Sequence, residues 1–348
     1  MGSDSVLKLD YLSLAELADR PAGWWQNVLG VAAFDAATPR APTTDIPMAS
    51  VQMPVLGADA RRYEVWASPH ATQSGARGRI QYRQGAGIVF GRLSVAESEL
   101  DATSGETSAL QRATELAYRE IFAVVDALAM PHLVRVWNFL PDINGKSHGS
   151  ERYWQFNSAR QDGFIASARA VTGPVPAACG VGSPRGAPLM IYFLASASAP
   201  TVIENPRQVS AYHYPPAYSP RSPTFSRACV ADFPDGRMLF ISGTASIIGH
   251  ATVHIGDAAA QTRETLRNIE ALLDAANRSA AARAPFAMRD LCYKAYVRRA
   301  DDLPLIDAEL RSAAGKDAQA LYLHAELCRE DLLVEIEATG SHLPSGRS

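Results

Sequence analysis

Cysteine is scarce in this chain, with four residues among 348 and no two of them close together. No C-x-x-C pair occurs, and no histidines stand at zinc-finger spacing beside a cysteine. The sequence therefore indicates neither a disulfide framework nor a structural zinc site, and we expect no bound metal. The four cysteines are Cys179, Cys229, Cys292 and Cys328.

Long apolar runs and an excess of basic residues are also missing. No segment reaches the roughly 18 uninterrupted apolar residues of a membrane span. The first residues, MGSDSVLKLDYLSLAEL, lack the basic start and apolar stretch of a signal peptide. Lys and Arg number 33 against 36 Asp and Glu, a formal net charge of −3. We therefore expect a cytoplasmic protein that binds neither a membrane nor a nucleic acid.

Two short motifs resemble cofactor or metal sites but lack the rest of the pattern. GVGSPRG (180–186) has a proline where the helix of a dinucleotide-binding motif should begin. HATVH (250–254) spaces two histidines four apart, but its alternating apolar residues favour a strand, and no acidic partner follows as in zinc peptidases. We therefore expect no cofactor.

The chain does contain a segment dense in proline and serine, residues 196–223, between two regions with clearer patterns. Apolar residues at helical spacing predict one helix over 109–128 and another over 258–276. Asp257 is a plausible N-cap for the second helix. A strand-like run precedes each helix and another follows it.

The two predicted helices share residues at a fixed offset of 150 positions. Such an offset favours a duplicated strand–helix–strand unit. We expect an α/β protein, of the α+β kind, with two related halves joined near residue 200, each a sheet with helices packed on one face. The identical pairs are Gln111 and Gln261, Leu116 and Leu266, and Glu120 and Glu270.

The segment CREDLLVEIEATG (328–340) has the pattern of a buried strand but carries two acids, Glu335 and Glu337. One interpretation places Val334 and Ile336 in the core and both glutamates in water, because alternate side chains of a strand point to opposite faces. The other interpretation buries a carboxyl in a cleft, where its pKa rises and it can donate a proton near neutral pH.

The C-terminal half resembles the YjgF/Rid superfamily through ISGTASIIGHATVHIGDAAAQTRETLRNIEALL, CYKAYVRRADDL and LLVEIEA, in this order. The resemblance implies two Rid-like sheet-plus-helix units: an N-terminal domain within 1–200, with an irregular N-terminal extension, and a C-terminal domain, 201–348, that carries the catalytic Glu. From about residue 45 onward the chain more closely resembles the chorismatases, through RVWNFLPDIN (135–144), ERYWQFNSARQDGF (151–164), APLMIYFLAS (187–196) and YPPAYSPRSPTFSRA (214–228).

Chorismatases remove pyruvate from chorismate, a dianion that needs at least two cationic or hydrogen-bonding anchors. Arginine suits this task because its planar fork binds a carboxylate through two parallel hydrogen bonds. Arg135 has an alternative role as a brace at the start of its strand. The resemblance implies four substrate-binding residues, Tyr153, Arg160, Tyr214 and Arg227, and two secondary candidates, Arg135 and Arg221.

Cleavage of the enol ether requires protonation of the enolpyruvyl methylene, and the resemblance implies that Glu335 supplies this proton. Glu337 is assigned to structure or solvent. A short turn, RED, between two apolar segments predicts a hairpin that brings Cys328 close to Glu335. In the family, Gly at the position of Gly243 and Cys at that of Cys328 go with hydroxybenzoate formation, whereas the hydrolytic branch tends to have Ala at the cysteine position.

The sequence therefore predicts a cofactor-independent chorismatase that converts chorismate to 3-hydroxybenzoate, 4-hydroxybenzoate or both, with release of pyruvate. It is expected to be a monomer or a homo-oligomer such as a trimer. Three alternatives stay open: a hydrolytic chorismatase that forms a dihydroxycyclohexadienoate, a Rid-type imine or enamine deaminase, and a catalytically silent sensor of an aromatic or keto-acid metabolite. The long N-terminal half and the loops rich in Tyr and Arg exceed what a small imine requires.

Overall fold

The structure is a computed structural model that describes residues 7–35, 45–57, 61–100, 107–216, 218–234, 236–279 and 285–342. Within these ranges the chain forms three main sheets, and helices pack on two of them. The α/β class predicted from the sequence is confirmed. No helix of the described residues is long and apolar enough to cross a membrane.

The N-terminal segment forms a four-stranded sheet of β1 (Lys8–Ser13), β2 (Val28–Phe34), β3 (Met48–Val51) and β4 (Arg61–Ala67), in the order β1-β4-β2-β3. A short helix, α1 (Leu14–Ala18), follows β1. The sequence analysis expected an irregular extension here, and the described residues instead form regular strands. The difference arises because β2 is buried on both faces, so its sequence shows no alternation.

The second sheet has six strands and carries two helices. Its strands are β5 (Gln73–Arg77), β6 (Ile80–Gly85), β7 (Ile88–Val95), β8 (His132–Pro141), β11 (Ala177–Ser183) and β12 (Leu189–Ser196). Helix α2 (Ala109–Ala127) joins β7 to β8. A two-stranded hairpin of β9 (Lys146–Ser147) and β10 (Ser150–Glu151), then helix α3 (Arg152–Ala166), lie between β8 and β11. The strand order is β5-β6-β7-β12-β8-β11.

The third sheet also has six strands and two helices. Its strands are β13 (Thr201–Ile203), β14 (Ala228–Phe233), β15 (Gly236–Ala245), β18 (Leu291–Val297), β19 (Gln319–His324) and β20 (Val334–His342). A hairpin of β16 (Ile247–Ile248) and β17 (Ala251–Thr252) precedes helix α4 (Ala258–Ser279), and α5 (Leu303–Ala314) joins β18 to β19. The strand order is β13-β14-β15-β20-β18-β19.

The two six-stranded sheets have the same topology, which confirms the predicted duplication. In each, three antiparallel strands are followed by a helix, a parallel strand pair with a second helix between them, and a last strand inserted in the middle of the sheet. That last strand, β12 or β20, runs antiparallel to both of its neighbours. The predicted junction near residue 200 falls between Ser196 and Thr201, and we keep the two-domain division there as a proposal.

The two predicted helices are confirmed as α2 and α4, within one residue at the C-terminus of the first and three at that of the second. Asp257 caps α4, since its Oδ1 accepts a hydrogen bond from the Ala260 N–H at 2.9 Å. Ser108 caps α2 reciprocally with Gln111, at 3.1 and 2.9 Å. Two equivalent helices thus begin with different capping residues.

The helices cover one face of each six-stranded sheet, as the sequence predicted. Leu110 of α2 and Phe164 of α3 pack against the second sheet, and Leu266 of α4 and Leu310 of α5 pack against the third. The opposite faces of both sheets, together with the N-terminal sheet, enclose a central core that includes Trp66. The candidate site lies at the edge of this core, where the second and third sheets meet.

Candidate active site

A cavity of about 640 Å³ opens where the second and third sheets meet. The edge strand β11 is tied there to β15, because the Ala178 N–H donates to Ser242 Oγ at 2.9 Å. The cavity walls come from β11, β15, β20, helix α3, the segment 214–227 and the connection between β19 and β20. Seven of the nine residues predicted from the sequence line it: Glu335, Cys328, Tyr153, Arg160, Tyr214, Arg227 and Gly243.

Glu335 lies on β20 with its side chain at the cavity and only 4% of its surface exposed. Val334 and Ile336 pack on the helix side of the sheet, so both glutamates of the strand point to the other face, toward the interior and not toward water. Burial and then the neighbouring Glu337 charge raise the pKa of Glu335 to about 8. Glu335 therefore holds a proton at pH 7.

Glu337 is buried beside Glu335 but is saturated with donors. Its two carboxylate oxygens accept from four donors: Arg135 Nη2 at 2.5 Å, Trp137 Nε1 at 2.7 Å, Lys294 Nζ at 2.8 Å and the Tyr296 hydroxyl at 3.2 Å. Burial alone would raise the pKa of Glu337, but the two cations outweigh it and hold that pKa below the usual value. Glu337 is therefore an anion held by structure, as the sequence analysis assigned, but it is not in solvent.

The Lys294 ammonium links this anion to the N-terminal sheet. Its Nζ lies 2.5 Å from Glu64 Oε2 of β4 and 3.0 Å from the Tyr192 hydroxyl of β12. Trp66 Nε1 donates to the other Glu64 oxygen at 2.8 Å. Burial alone would lower the pKa of Lys294, but the Glu337 and Glu64 charges raise that pKa above its usual value. Two acids and two bases, counting Arg135, thus balance in charge inside the core.

Gly243 of β15 leaves the space that the Glu335 carboxyl occupies. A Cβ built on Gly243 would lie 1.9 Å from Glu335 Oε1 and 3.2 Å from the Cys179 Cβ. No side chain fits there without displacing the carboxyl. The glycine is required by close approach to the acid and not by its backbone angles.

Arg160 and Tyr153 both project from helix α3. The Arg160 guanidinium donates to the Thr224 carbonyl and lies 5.5 Å from the Phe156 ring centroid. Its Nε is buried without a partner among the described residues. Burial raises the pKa of the Tyr153 phenol, so it stays a neutral hydroxyl at the cavity wall. Spacing of seven residues puts both side chains on one face of the helix.

Arg227 and Tyr214 form a second cationic corner. Arg227 Nη2 donates to the Tyr214 hydroxyl at 2.6 Å and to the Val209 carbonyl at 2.8 Å. The guanidinium lies 5.4 Å from the centroids of both the Tyr214 and the Phe225 rings. Arg227 is 4% exposed, so its charge is poorly hydrated and available to an anion in the cavity.

Cys328 lines the cavity, but the predicted hairpin is wrong. Cys328 lies in the connection between β19 and β20, and β18 separates these two strands in the sheet. After β19 the chain passes β18 and places β20 between β15 and β18, so β19 and β20 are not neighbours in the sheet. Burial, followed by the Glu335 charge, raises the pKa of the Cys328 thiol to about 12. Cys328 is thus a neutral small side chain and not a thiolate nucleophile.

The two secondary candidates are not brought into the cavity lining. Arg135 is 1% exposed and its guanidinium is used by Glu337, a support role of the kind that the sequence analysis named as the alternative. The Arg221 side chain is 42% exposed and pairs with Asp162 at the surface. Neither contacts the space in which a ligand would lie.

Several charged groups that shape the site were not predicted from the sequence, and three of them are central here. Arg329 lines the cavity directly after Cys328, and Lys294 and Glu64 lie in the core behind it. The available signal was a lone charge within an apolar strand, as in LCYKAYV and RRYEVWA. No group of three or more His, Cys, Asp and Glu side chains that could hold a metal occurs in the described part of the chain.

The sequence and the fold match known proteins over most of the chain. Residues 64–195 match the family model for the N-terminal region of FkbO/Hyg5-like chorismatases. A 3-hydroxybenzoate synthase of Streptomyces hygroscopicus is 36% identical over 326 residues, 90% of this chain and 91% of the relative. A chorismatase of the same organism is 34% identical over 79% of this chain and 78% of its own length.

A solved structure agrees with these sequence matches. The crystal structure of a chorismatase superposes with a TM-score of 0.83 at 28% identity and covers 96% of this chain and 98% of that one. The 96% coverage means that the similarity extends across the three sheets and is not confined to one of them. The chain belongs to the chorismatase family.

Proposed function

We propose that this protein converts chorismate to a hydroxybenzoate and pyruvate, with Glu335 as the general acid. The observation that carries the proposal is a buried carboxyl, with its pKa raised to about 8 by burial, that faces a cavity whose lining includes three arginines. A general acid must be protonated at the working pH and within reach of the substrate, and such a group typically contributes about 10²–10⁴ in rate.

The reaction needs no second substrate. Chorismate contains the same atoms as one hydroxybenzoic acid and one pyruvic acid together, so neither water nor an oxidant or reductant is consumed. This balance supports a cofactor-independent enzyme. It also means that water inside the cavity would compete, because a water that attacks the activated carbon gives the dihydroxycyclohexadienoate.

The proton moves from the Glu335 carboxyl to the enolpyruvyl methylene, which becomes the methyl group of pyruvate. The ether carbon is then electron-poor, and the bond between the ether oxygen and the ring breaks with its electron pair forming the pyruvate carbonyl. The neighbouring ring hydroxyl attacks the ring carbon that is released, and its proton returns to Glu335. One C–O bond of this epoxide-like ring then breaks with its electron pair going to the oxygen, and net transfer of a ring proton to that oxygen gives the aromatic hydroxybenzoate.

Two arginine corners suit the two carboxylates of the substrate. Arg160 stands with Tyr153 on helix α3, and Arg227 stands with Tyr214 on the segment beside β14. Each pair offers a guanidinium and a hydroxyl, the groups that bind carboxylates best. Arg227 is also close enough to Glu335 to lower its pKa, against the larger effect of burial.

The product branch is supported by Gly243 and Cys328. Both border the Glu335 carboxyl, one by leaving space for it and the other by placing a neutral thiol beside it. The similarity to a protein named 3-hydroxybenzoate synthase supports the 3-isomer as a product, alone or with the 4-isomer. The deaminase alternative is not favoured, because a small imine needs neither two arginine corners nor this volume.

The test is to incubate the purified protein with chorismate and to measure pyruvate and the ring product by chromatography and mass spectrometry. Equal amounts of pyruvate and hydroxybenzoate are expected. Glu335→Gln should lower the rate by about 10²–10⁴, whereas Glu309→Gln, at the surface of α5, should leave it unchanged. A dihydroxycyclohexadienoate would overturn the branch, and the absence of pyruvate would overturn the activity.

A further inference from the structure

The backbone around Arg329 is fixed by hydrogen bonds from the Arg298 side chain. The connection between β19 and β20 wraps around Arg298, whose Nε donates to the Leu332 carbonyl at 2.7 Å. Its Nη2 donates to the Arg329 carbonyl at 2.9 Å and to the Leu327 carbonyl at 3.2 Å. This loop is therefore a fixed part of the cavity wall, which favours binding because little ordering remains to be done.

The Arg329 side chain is equally constrained. Its guanidinium lies 4.1 Å from the Tyr218 ring centroid and 5.3 Å from that of Tyr214. Nη1 donates to the His250 carbonyl at 2.9 Å and to Thr252 Oγ1 at 3.2 Å. Two rings and two acceptors thus fix the plane of the guanidinium, and with it the direction of the remaining terminal nitrogen, Nη2.

That remaining nitrogen, Nη2, is buried and has no hydrogen-bond partner among the described residues. An N–H taken out of water without an acceptor is unfavourable, and more so when it belongs to a charged group. Arg329 nevertheless lines the cavity. A cationic donor that lacks a partner at the wall of a binding cavity is explained if a ligand atom supplies the acceptor.

We propose that Arg329 is a third cationic anchor, whose Nη2 binds a carboxylate of the dianionic substrate. The inference rests on the proposed function, since it takes chorismate as the ligand. Arg160 donates a hydrogen bond to the Thr224 carbonyl. Arg227 lies three residues after Thr224, so these two cations belong to the same side of the cavity lining. Arg329 comes from a different loop, the connection between β19 and β20, and adds a third cation to the lining, beside Tyr214.

The role sets substrate specificity. A dianion can pair one carboxylate with Arg329 and the other with an Arg160 or Arg227 corner, whereas a monoanion leaves at least one of these buried donors unpaired. The cost of that unpaired donor falls on the monoanion and not on the dianion. Arg329 therefore favours ligands with two carboxylates and contributes to binding more than to the chemical step, which belongs to Glu335.

The first test is steady-state kinetics with chorismate for Arg329→Gln, Arg329→Lys and, as a matched control, the exposed Arg185→Gln. We expect the KM of Arg329→Gln to rise about 10- to 100-fold with kcat changed less than about threefold. Arg329→Lys should recover part of the loss, since it keeps the charge but not the fork. A KM equal to that of the control, or a loss confined to kcat, would show that Arg329 is only a brace.

The second test does not depend on turnover. Calorimetry compares isophthalate, a dianion, with benzoate, a monoanion, on the wild-type protein and the same variants. The wild-type protein and Arg185→Gln should prefer isophthalate, and Arg329→Gln should lose most of that preference. Equal preference in wild type and Arg329→Gln overturns the inference. If discrimination is lost in the variant but the wild type makes no pyruvate, the anchor stands and the proposed reaction fails.

Discussion

Strands β12 and β20 hold the same place in their two sheets, yet only β20 carries acids. On the face toward the central core, β12 presents Met190, Tyr192 and Leu194, whereas β20 presents Glu335 and Glu337. The helix-facing sides of both strands are apolar. The apolar, helix-facing side of each strand thus stabilises its own unit. The core-facing side can therefore differ between the two units. Of these two equivalent strands, β20 with its acids lines the cavity, and β12 does not.

The other copy contributes by compensating these acids. Arg135 and Trp137 of β8 bind Glu337, and Tyr192 of β12 contacts Lys294. The second sheet therefore supplies a charge and donors to the third, across a core that would otherwise be apolar. Because removal of one partner of a buried ion pair leaves the other uncompensated, the predictions below begin at this network.

The largest effect is expected from Glu337→Gln. Lys294 keeps Glu64, but Arg135 loses its counterion, and the free energy of unfolding should fall by about 3–5 kcal/mol. Glu335 also loses a like charge and gains an unpaired cation, so its pKa should fall. In the proposed reaction Glu335 acts in its protonated form, so kcat should decline as pH rises through about 8 in the wild type and at lower pH in the variant.

The measurements are chemical denaturation and kcat as a function of pH with chorismate. Glu309→Gln, on the surface of α5, serves as the control that removes an acid outside the network. A variant whose stability falls but whose pH profile stays in place would show that Glu337 supports the fold without acting on Glu335. A profile that moves to higher pH would contradict the charge arrangement altogether.

The second prediction concerns the space beside the acid. Gly243→Ala places a methyl group 1.9 Å from Glu335 Oε1, so the carboxyl must move. Displacement of a reacting group by about 1 Å can cost about 10² in rate. We expect kcat to fall by that factor while the fold is kept. Gly23→Ala, where an added Cβ meets nothing within 4 Å, is the control and should change neither activity nor stability.

Melting curves separate the two possible origins of a loss in Gly243→Ala. Unchanged melting with reduced kcat supports displacement of the acid. Full activity would mean that the carboxyl reaches the substrate from more than one position, and the close approach to Gly243 would then be without consequence for catalysis.

The comparison also shows which features a sequence can reveal. The duplication was visible because the two helices repeat their apolar spacing, and Glu335 became the candidate acid through the resemblance of V-E-I-E. The pair of Lys294 and Glu64 was not, because 230 positions separate them and only the packing of two sheets brings them together. The prediction of a hairpin at Cys328 was wrong because the residues of a turn do not reveal that β18 lies between β19 and β20 in the sheet.

A smaller effect is expected from Tyr192→Phe, which removes the hydroxyl through which β12 contacts Glu64 and Lys294. Its hydroxyl donates to Glu64 Oε1 at 3.2 Å and accepts from Lys294 at 3.0 Å. Loss of these contacts should lower the free energy of unfolding by about 1–2 kcal/mol without moving the pH profile of kcat. A shift of that profile would show that β12 acts on Glu335 through Lys294.

The smallest effect is expected at the starts of the equivalent helices α2 and α4. Ser108 is 1% exposed and caps α2 reciprocally with Gln111, whereas the cap of α4 by Asp257 lies in an exposed setting. Loss of an N-cap typically costs about 1 kcal/mol. Ser108→Ala should cost somewhat more than Asp257→Ala, because a buried N–H is left without a partner and water cannot replace the hydroxyl. Chemical denaturation of both variants, with kcat unchanged, tests this; equal costs would mean that burial of the cap is unimportant.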